Sequence, residues 1–415
     1  MIVPKPVLDR EMTIAAYCFR YQRGDEYLGD QPARLLDGVI NLPCLTILEE
    51  IGLNGFTNGN TLFVPINKFT LLSDVTLQCS QPSDKIIFLL DENLPPEDMF
   101  LDCIKVLREK GFRFAVEKVR NYEYMRPVIE LCDYIMISFK FGDMGSLEEY
   151  KQVSRQYRKH LFIATDVDKI DVFQKIRYSG FDNFEGQFYN VPANTGHNTI
   201  APVKVNRIQL INIVREPDFS IEEVVGVVSK DPSLSFSLLK LVNSPYLGLS
   251  QKIKSIQHAV AMLGQTEVRK WVTTATTGLL ADDKPDALTR VSLVRARFAE
   301  NLARYFEMAI HAPGLFLMGL FSVLDVVLEM DMEEALKIIS VSERIHDALV
   351  HGKGDYASVL QLIQQYEAAN WTEVNRLMTL SKVRVEDVFK SYIEAVRWYD
   401  TIAFSESDEQ HEQQP

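Results

Sequence analysis

The sequence predicts a mixed fold, an α/β half followed by an all-α half, on three observations. The chain of 415 residues is longer than one ordinary hydrophobic core supports, which favours two domains. Short apolar runs alternate with longer amphipathic runs up to about residue 200. Beyond that point the apolar residues recur with the period of a helix, and the sequence shows no convincing strand pattern.

The first half is a series of predicted strand–helix units. Short, nearly continuous apolar runs are typical of strands covered on both faces, and they occur at 13–19, 61–66, 85–90, 112–116, 134–139 and 161–165. Amphipathic runs between them, including 96–111 and 146–160, predict helices. Units of this kind favour a parallel β/α (TIM-like) barrel over residues 1–200. A doubly wound open sheet is the alternative, disfavoured because no glycine-rich nucleotide fingerprint follows the first run.

The second half predicts a helical bundle over residues 201–404. Ser220, Asp231 and Ser255 are predicted helix caps, and Gly264 is a predicted helix end. A polar stretch rich in Pro, Gly and Asn places the domain boundary near residue 200. The acidic tail, 405–415, lacks apolar anchors and is predicted to be disordered.

Composition and charge disfavour several classes of function. The net charge is −13 and no compact basic run occurs, which disfavours nucleic-acid binding. The sequence has no long apolar run and no signal-peptide pattern, so we expect a cytoplasmic protein without membrane insertion. The five scattered cysteines include no CxxC pair and are expected to be buried free thiols. P-loop, GxSxG, HExxH and zinc-type spacings do not occur.

Long stretches of both halves resemble known signalling domains. SKDPSLSFSLLKLVNSPYLG (229–248), IKSIQHAVAMLG (253–264) and FLMGLFSVLDVVLEMDMEEAL (316–336) resemble the HDOD domain. The opening, IVPKPVLDREMTIAAYCFRY, resembles the divergent EAL domain that is fused to HDOD. The resemblance covers residues 1–400. It implies the barrel of cyclic di-GMP phosphodiesterases joined to an HDOD bundle, which is a relative of HD and HD-GYP phosphohydrolases that lacks their metal ligands.

The resemblance also implies which positions formed the EAL site. An active EAL enzyme holds divalent cations with carboxylates and an asparagine, and these cations activate a water molecule for phosphodiester attack. Arg20 matches a phosphate contact of the family, and Asn67 matches the asparagine ligand. Glu117 stands at the first position of an aspartate pair, with Lys118 at the second. We interpret Arg20, Asn67 and Glu117 as vestigial nucleotide or metal positions.

Other positions of the implied site have lost the required group. Family glutamates fall on Ala16, Leu89 and Thr165, the lysine falls on Met136, and a Gln-Gly pair becomes Glu185–Gly186. Glu92 and Asp168 lie close to two of these positions along the chain. We therefore expect that the barrel does not hydrolyse cyclic di-GMP.

The metal-binding dipeptide of the HD enzymes is also absent from its expected place. Ser322 and Val323 stand where the resemblance implies His-Asp. A literal His346–Asp347 lies about two dozen residues further on, without a recognised histidine partner. We interpret it as part of a solvated helix face, because a metal ion needs several converging ligands.

Arg295 and Arg297 are candidates for an anion site or a structural site in the helical half. Arg295 falls near the position of an early metal-ligand histidine in the active relatives. Pairing with a carboxylate such as Glu300 is the preferred interpretation, and anion binding is the alternative. Asp231 and Asn243–Pro245 are interpreted as capping and turn residues.

Together these patterns predict a non-enzymatic bacterial signal-transduction protein without a cofactor. It would act as a scaffold or output module that binds other signalling proteins, with a homodimer as an open alternative. A second hypothesis is a sensor that binds cyclic di-GMP or another nucleotide without cleaving it. Residual cyclic di-GMP phosphodiesterase activity is the least favoured hypothesis.

Overall fold

A computed structural model describes most of the chain. The described residues are 1–21, 35–36, 39–40, 48–49, 52–57, 59–73, 79–142, 144–190, 202–216, 218–228, 234, 238, 241–242, 256–280, 286–339 and 341–407. The chain forms two compact units, Met1–Val191 with Gln365–Asn375, and Pro192–Gln364 with Arg376–Pro415. The predicted boundary near residue 200 lies outside the described residues and stays a prediction. The sequence predicts that Gln365–Asn375 lie in the helical half, and it does not predict that these residues group with the first unit.

The first unit is built on a β-barrel. The strands in the described part are β1 (Ile2–Leu8), β2 (Ile14–Tyr21), β3 (Leu35–Leu36), β4 (Val39–Ile40), β5 (Thr61–Pro65), β6 (Ile86–Asp91), β7 (Arg113–Glu117), β8 (Tyr134–Ser138), β9 (Leu161–Thr165) and β10 (Asn183–Glu185). Eight of them close a barrel in the order β1-β10-β9-β8-β7-β6-β5-β2, and β3 and β4 form a separate two-stranded sheet. The predicted β/α barrel is therefore confirmed.

Short helices follow the strands, as in other β/α barrels. They are α1 (Asn54–Thr57), α2 (Lys68–Leu72), α3 (Asp98–Glu109), α4 (Arg126–Ile129), α5 (Gly145–Gln156) and α6 (Ile170–Ile176). The two helices predicted at 96–111 and 146–160 correspond to α3 and α5. Each buries an apolar stripe, for example Phe100, Ile104 and Leu107 in α3.

One strand departs from the predicted all-parallel arrangement. β1 runs antiparallel to both of its neighbours, β2 and β10, whereas the other neighbouring pairs of the barrel are parallel. The sequence did not predict β1 because Pro4 and Pro6 interrupt its apolar run, and a proline has no N–H to donate to a neighbouring strand.

The regular elements of the second unit, in its described residues, are all helices. Its helices are α7 (Pro202–Arg215), α8 (Ile221–Val228), α9 (Ile256–Leu280), α10 (Asp286–Leu302), α11 (Ala312–Phe321), α12 (Leu324–Leu328), α13 (Met332–Ile339) and α14 (Glu343–His346), followed by a π-helix (Asp347–His351) and by α15 (Asp355–Glu367), α16 (Trp371–Ser381) and α17 (Val385–Ser407). Both α15 and α16 include residues of the first unit.

Two predicted local features of these helices can be checked in the structure. α9 is interrupted at Gly264, where φ is 69° and ψ is 167°, so the predicted helix end there is confirmed. The Ser220 hydroxyl accepts a hydrogen bond from the Glu223 N–H at 3.4 Å, as an N-cap does. Within the described residues, no helix combines the length and the apolar character that crossing a bilayer requires.

Residues distant in sequence complete the first unit. Tyr366 is fully buried, and its hydroxyl donates a hydrogen bond to the carbonyl oxygen of Ile2 in β1 at 2.9 Å. The Tyr366 ring also packs edge-on against Trp371, with the ring centroids 5.4 Å apart. These contacts explain why Gln365–Asn375 groups with the barrel.

The contact between Tyr366 and Ile2 predicts a local effect of Tyr366→Phe. Loss of one buried hydrogen bond costs about 1 kcal/mol, so amide exchange in peptides spanning β1 should become roughly fivefold faster. Hydrogen-exchange mass spectrometry measures this directly. Tyr178→Phe is the matched control, because Tyr178 is 77% exposed in the same unit. Unchanged exchange of β1 in Tyr366→Phe would contradict the assigned role.

Candidate functional site

The carboxyl end of the barrel holds a buried cluster of charged groups. Arg20, at the end of β2, donates from Nη1 to Glu117 Oε2 at 2.6 Å. Its Nε donates to Glu185 Oε1 at 3.2 Å, and its Nη2 donates to Glu185 Oε2. Glu117 and Glu185 are 7% and 1% exposed. One guanidinium therefore bridges two buried carboxylates, with a bidentate contact to the second.

The barrel topology brings these three residues together. Arg20 lies near the end of β2, Glu117 is the last residue of β7, and Glu185 is the last residue of β10. These strands run in the same direction, so their carboxyl ends meet at one rim of the barrel, which is where β/α barrels place their active sites. The rim that the resemblance implies as the catalytic end is thus occupied by an Arg–Glu–Glu cluster, named here the rim cluster.

Lys118 adds a second cation to the rim cluster. It has a left-handed backbone with φ of 57°, and its Nζ donates to Glu117 Oε1 at 2.9 Å. Burial by itself would raise the pKa of the Glu117 carboxyl, but the charges and hydrogen bonds of Arg20 and Lys118 outweigh that effect and lower the pKa from 4.5 to about 2. Glu117 is accordingly ionised at neutral pH, and both of its oxygens accept hydrogen bonds from cations of the chain.

Directly inside the barrel the implied ligand positions are apolar. Ala16, Leu89 and Met136 stand where the resemblance places two glutamates and a lysine, and all three are buried. They belong to one hydrophobic cluster of barrel residues, whose other members are Val7, Cys18, Phe63, Ile87, Ala115, Tyr134 and Ile163. Hard divalent cations such as Mg²⁺ need mainly oxygen ligands, which these side chains do not supply.

Asn67, the residue matched to the asparagine ligand, caps a helix. Its Oδ1 accepts hydrogen bonds from the Thr70 N–H at 2.9 Å and from the Thr70 hydroxyl at 3.1 Å. It is the N-cap of α2, with an extended backbone. The amide oxygen that would coordinate a metal ion therefore accepts hydrogen bonds from the first turn of α2 instead.

The remaining positions of the implied site have other partners. Thr165 is buried at the end of β9. Asp168 accepts a hydrogen bond from the Gln187 N–H at 3.1 Å, and Glu92 forms an ion pair with Arg120 at 3.1 Å. Gly186 follows Glu185 because a Cβ there would lie 1.9 Å from the carbonyl oxygen of Val167. The glycine of the implied Gln-Gly pair is thus kept for close backbone packing.

The described donors of this rim do not fit the divalent cations of an EAL enzyme. The two buried carboxylates, Glu117 and Glu185, are bound to Arg20, and the oxygen of Asn67 faces the helix that it caps. Asp91, which lies opposite Glu117 in the register of β6 and β7, accepts hydrogen bonds from Asn93. A cation between the glutamates would have to displace the guanidinium. Glu185 was not singled out from the sequence as a partner of Arg20, because the two residues are 165 positions apart.

In the helical unit, Arg295 and Arg297 have separate environments. Arg295 is buried and donates to the Ser322 hydroxyl at 3.0 Å, and Ser322 in turn donates to the Gly319 carbonyl at 2.7 Å. Arg297, rather than Arg295, pairs with Glu300, at 2.6 Å. Ser322 holds the position that the resemblance gives to the first metal-binding residue of the HD enzymes, and it serves here to anchor Arg295.

Some predicted features lie outside the described residues. They are the capping and turn residues Asp231, Asn243, Ser244, Pro245 and Ser255, the thiol of Cys44 and the tail beyond Ser407. The four cysteines in the described part are free, and all except the half-buried Cys103 are buried. Burial raises the pKa of the Cys18 and Cys132 thiols well above the ordinary value. The helix α17 includes the first three residues of the predicted tail.

The chain is similar to one known domain family and to two known bacterial proteins. Residues 200–348 match the HDOD domain. The chain is 25% identical over 412 residues to the uncharacterized protein YuxH of Bacillus subtilis (strain 168), covering 96% of this chain and 97% of that protein. It is 27% identical over 329 residues to the cyclic di-GMP phosphodiesterase CdgJ of Vibrio cholerae, covering 79% of this chain and 76% of that protein.

Among solved structures, the EAL enzyme Bd1971 in its cAMP-bound form matches with 11% identity and a TM-score of 0.35. The match covers 45% of this chain and 61% of that chain, so this protein spans less than two thirds of that enzyme, and the low TM-score supports no conclusion. The HDOD match confirms that part of the resemblance, and the barrel that precedes it has the predicted β/α fold. The chain is a β/α barrel followed by a helical unit whose residues 200–348 match the HDOD domain.

The low pKa of Glu117 predicts how acid affects the barrel. Because the pKa is about 2 in the folded chain and near 4.5 when unfolded, the stabilisation is complete above pH 4.5 and is lost as the pH falls toward 2. Wild-type protein should lose about 2 kcal/mol of it between about pH 5 and pH 3. Glu117→Gln should be less stable at neutral pH and lose less on acidification, which scanning calorimetry measures.

Glu130→Gln is the matched control for this experiment, because Glu130 pairs with Arg126 in an exposed contact of the same unit. Its stability should follow that of the wild type at every pH. If Glu117→Gln and the wild type lost equal stability on acidification, Glu117 would not be held ionised by Arg20 and Lys118.

Proposed function

We propose that this protein is a non-enzymatic component of cyclic di-GMP signalling, in which the barrel and the HDOD domain act as a protein-interaction scaffold or output module. The EAL–HDOD architecture and the relationship to CdgJ support the signalling context. The loss of catalysis is supported by the geometry of the barrel rim. The partners would be other signalling proteins, recognised through surfaces of the two units.

The rim cluster is the observation that carries this proposal. Arg20 engages both buried carboxylates of the rim, and Lys118 engages one of them. Extracting a buried carboxylate from such a pair costs about 3–5 kcal/mol, because the remaining charge is left uncompensated in a poorly hydrated site. Coordination of a metal ion by Glu117 or Glu185 would have to overcome this cost before any activation of water began.

The second candidate function is cyclic di-GMP hydrolysis, and one observation favours it. CdgJ, which covers 79% of this chain, is named as a cyclic di-GMP phosphodiesterase. In such an enzyme Glu117 and Glu185 would serve as metal ligands after Arg20 moved aside. A third function, a sensor that binds the nucleotide without hydrolysing it, shares nucleotide binding with the enzyme and the lack of catalysis with the scaffold. It would need Arg20 to exchange a carboxylate for a phosphate of the nucleotide.

These functions are distinguished by incubating the purified protein with cyclic di-GMP and Mg²⁺ or Mn²⁺ and analysing the products by chromatography. Our proposal predicts no linear dinucleotide above the level of a protein-free control. CdgJ, assayed in parallel, is the positive control for the nucleotide and the metal.

Calorimetric titration of the same samples separates the scaffold from the sensor. The scaffold predicts no saturable heat with cyclic di-GMP. Saturable binding that Arg20→Ala abolishes, without product, would make the protein a sensor. Metal-dependent product that increases with protein concentration and disappears in Glu117→Gln would overturn the proposal in favour of the enzyme.

A further inference from the structure

A short π-helical turn in the second unit brings two histidines and an aspartate together. α14 ends at His346, and the π-helix Asp347–His351 follows it directly. One ligand atom from each of His346, Asp347 and His351 can be chosen so that all three atoms lie within 4.8 Å of one another. Among the described residues, this is the one group of three or more potential metal ligands that approach so closely.

The contacts within this group are specific. His346 Nδ1 lies 3.9 Å from Asp347 Oδ1, and the two imidazole rings lie 5.4 Å apart between centroids at an interplanar angle of 72°. His346 and Asp347 are half-buried, and His351 is exposed. Solvent can therefore reach the group, while the backbone holds its members in one place.

The π-helix is the reason that the group forms. In an α-helix of about 3.6 residues per turn, residues five apart point away from each other by more than a third of a turn. The wider π-helix returns the fifth residue to the same side, so that His351 lies beside His346. The sequence predicts a solvated helix face for His346–Asp347 and does not indicate His351 as a neighbour of His346, because it does not predict the π-helix.

We propose that His346, Asp347 and His351 form a binding site for a divalent transition metal of the zinc class. Two imidazoles and one carboxylate are typical ligands for Zn²⁺, Co²⁺ and Ni²⁺, whereas Mg²⁺ and Ca²⁺ require mainly oxygen ligands. Three ligands from the chain leave a coordination position for water. The site is separate from the rim cluster, and it includes His351, which lies beyond the segment that matches the HDOD domain.

The close spacing of the three ligands along the chain predicts that metal binding stabilises the π-helix. All three ligands lie within six consecutive residues, so binding closes one turn of chain and stabilises the π-helix against unwinding. A cation that binds only the folded turn stabilises it by RT ln(1 + c/Kd), with c the metal concentration, so the stabilisation grows with the logarithm of the metal concentration once that concentration exceeds the dissociation constant. Metal binding should therefore slow amide exchange across Asp347–His351.

Isothermal titration of the EDTA-treated, dialysed full-length protein with Zn²⁺ tests the proposal, with Co²⁺ absorption as a second readout. We expect one saturable Zn²⁺ site and a visible Co²⁺ spectrum. His346→Ala and His351→Ala should each weaken binding about tenfold or more, the loss expected for one ligand. Asp347→Asn, which keeps the side-chain volume, should also weaken it and guards against an alanine variant that does not fold.

His258→Ala is the matched control, because His258 is an exposed histidine on a different helix of the same unit. It should leave the titration and the Co²⁺ spectrum unchanged. The proposal would be overturned by an absence of saturable binding in the wild type. It would also be overturned if His351→Ala and Asp347→Asn, with far-ultraviolet circular dichroism like that of the wild type, bound Zn²⁺ as tightly as the wild type.

Discussion

The contact between the Arg20 guanidinium and two buried glutamates is the interaction on which the first unit depends. Glu117 and Glu185 each end a barrel strand with a carboxylate that has almost no contact with water. Two such anions so close together would repel each other strongly without a cation between them. Arg20 supplies that cation from a third strand, and it thereby ties β2, β7 and β10 together at one rim of the barrel.

The apolar interior of the barrel and the rim cluster are consistent with each other. Ala16 and Leu89 offer no oxygen ligand at positions where the resemblance implies glutamates, and the cation that the two rim glutamates contact is the Arg20 guanidinium. Arginine fills that role with a fixed, always protonated group of five donors. The barrel thus has the strand order and the rim of a β/α barrel, and its two buried rim glutamates are neutralised by Arg20 and Lys118.

The sequence predicts features that depend on local patterns, and it does not predict contacts between residues that are far apart along the chain. Strands β2 and β5 to β9 were predictable because each depends on a continuous local apolar run, whereas β10, with only three residues, was not predicted. Gly264 was predictable because a glycine marks a helix end locally. The ion pair of Arg20 with Glu185, across 165 positions, and the bond of Tyr366 to Ile2 join distant segments that no local pattern connects. The π-helical turn was missed because His346–Asp347 was interpreted only as part of a solvated helix face.

The most direct test of the central claim is a crystal structure of the protein grown with Mn²⁺ and cyclic di-GMP, with anomalous data collected at the manganese edge. Our account predicts no anomalous peak at the carboxyl end of the barrel and Arg20 still bound to both glutamates. A manganese peak between Glu117 and Glu185, with the Arg20 side chain turned away or bound to a phosphate, would contradict it.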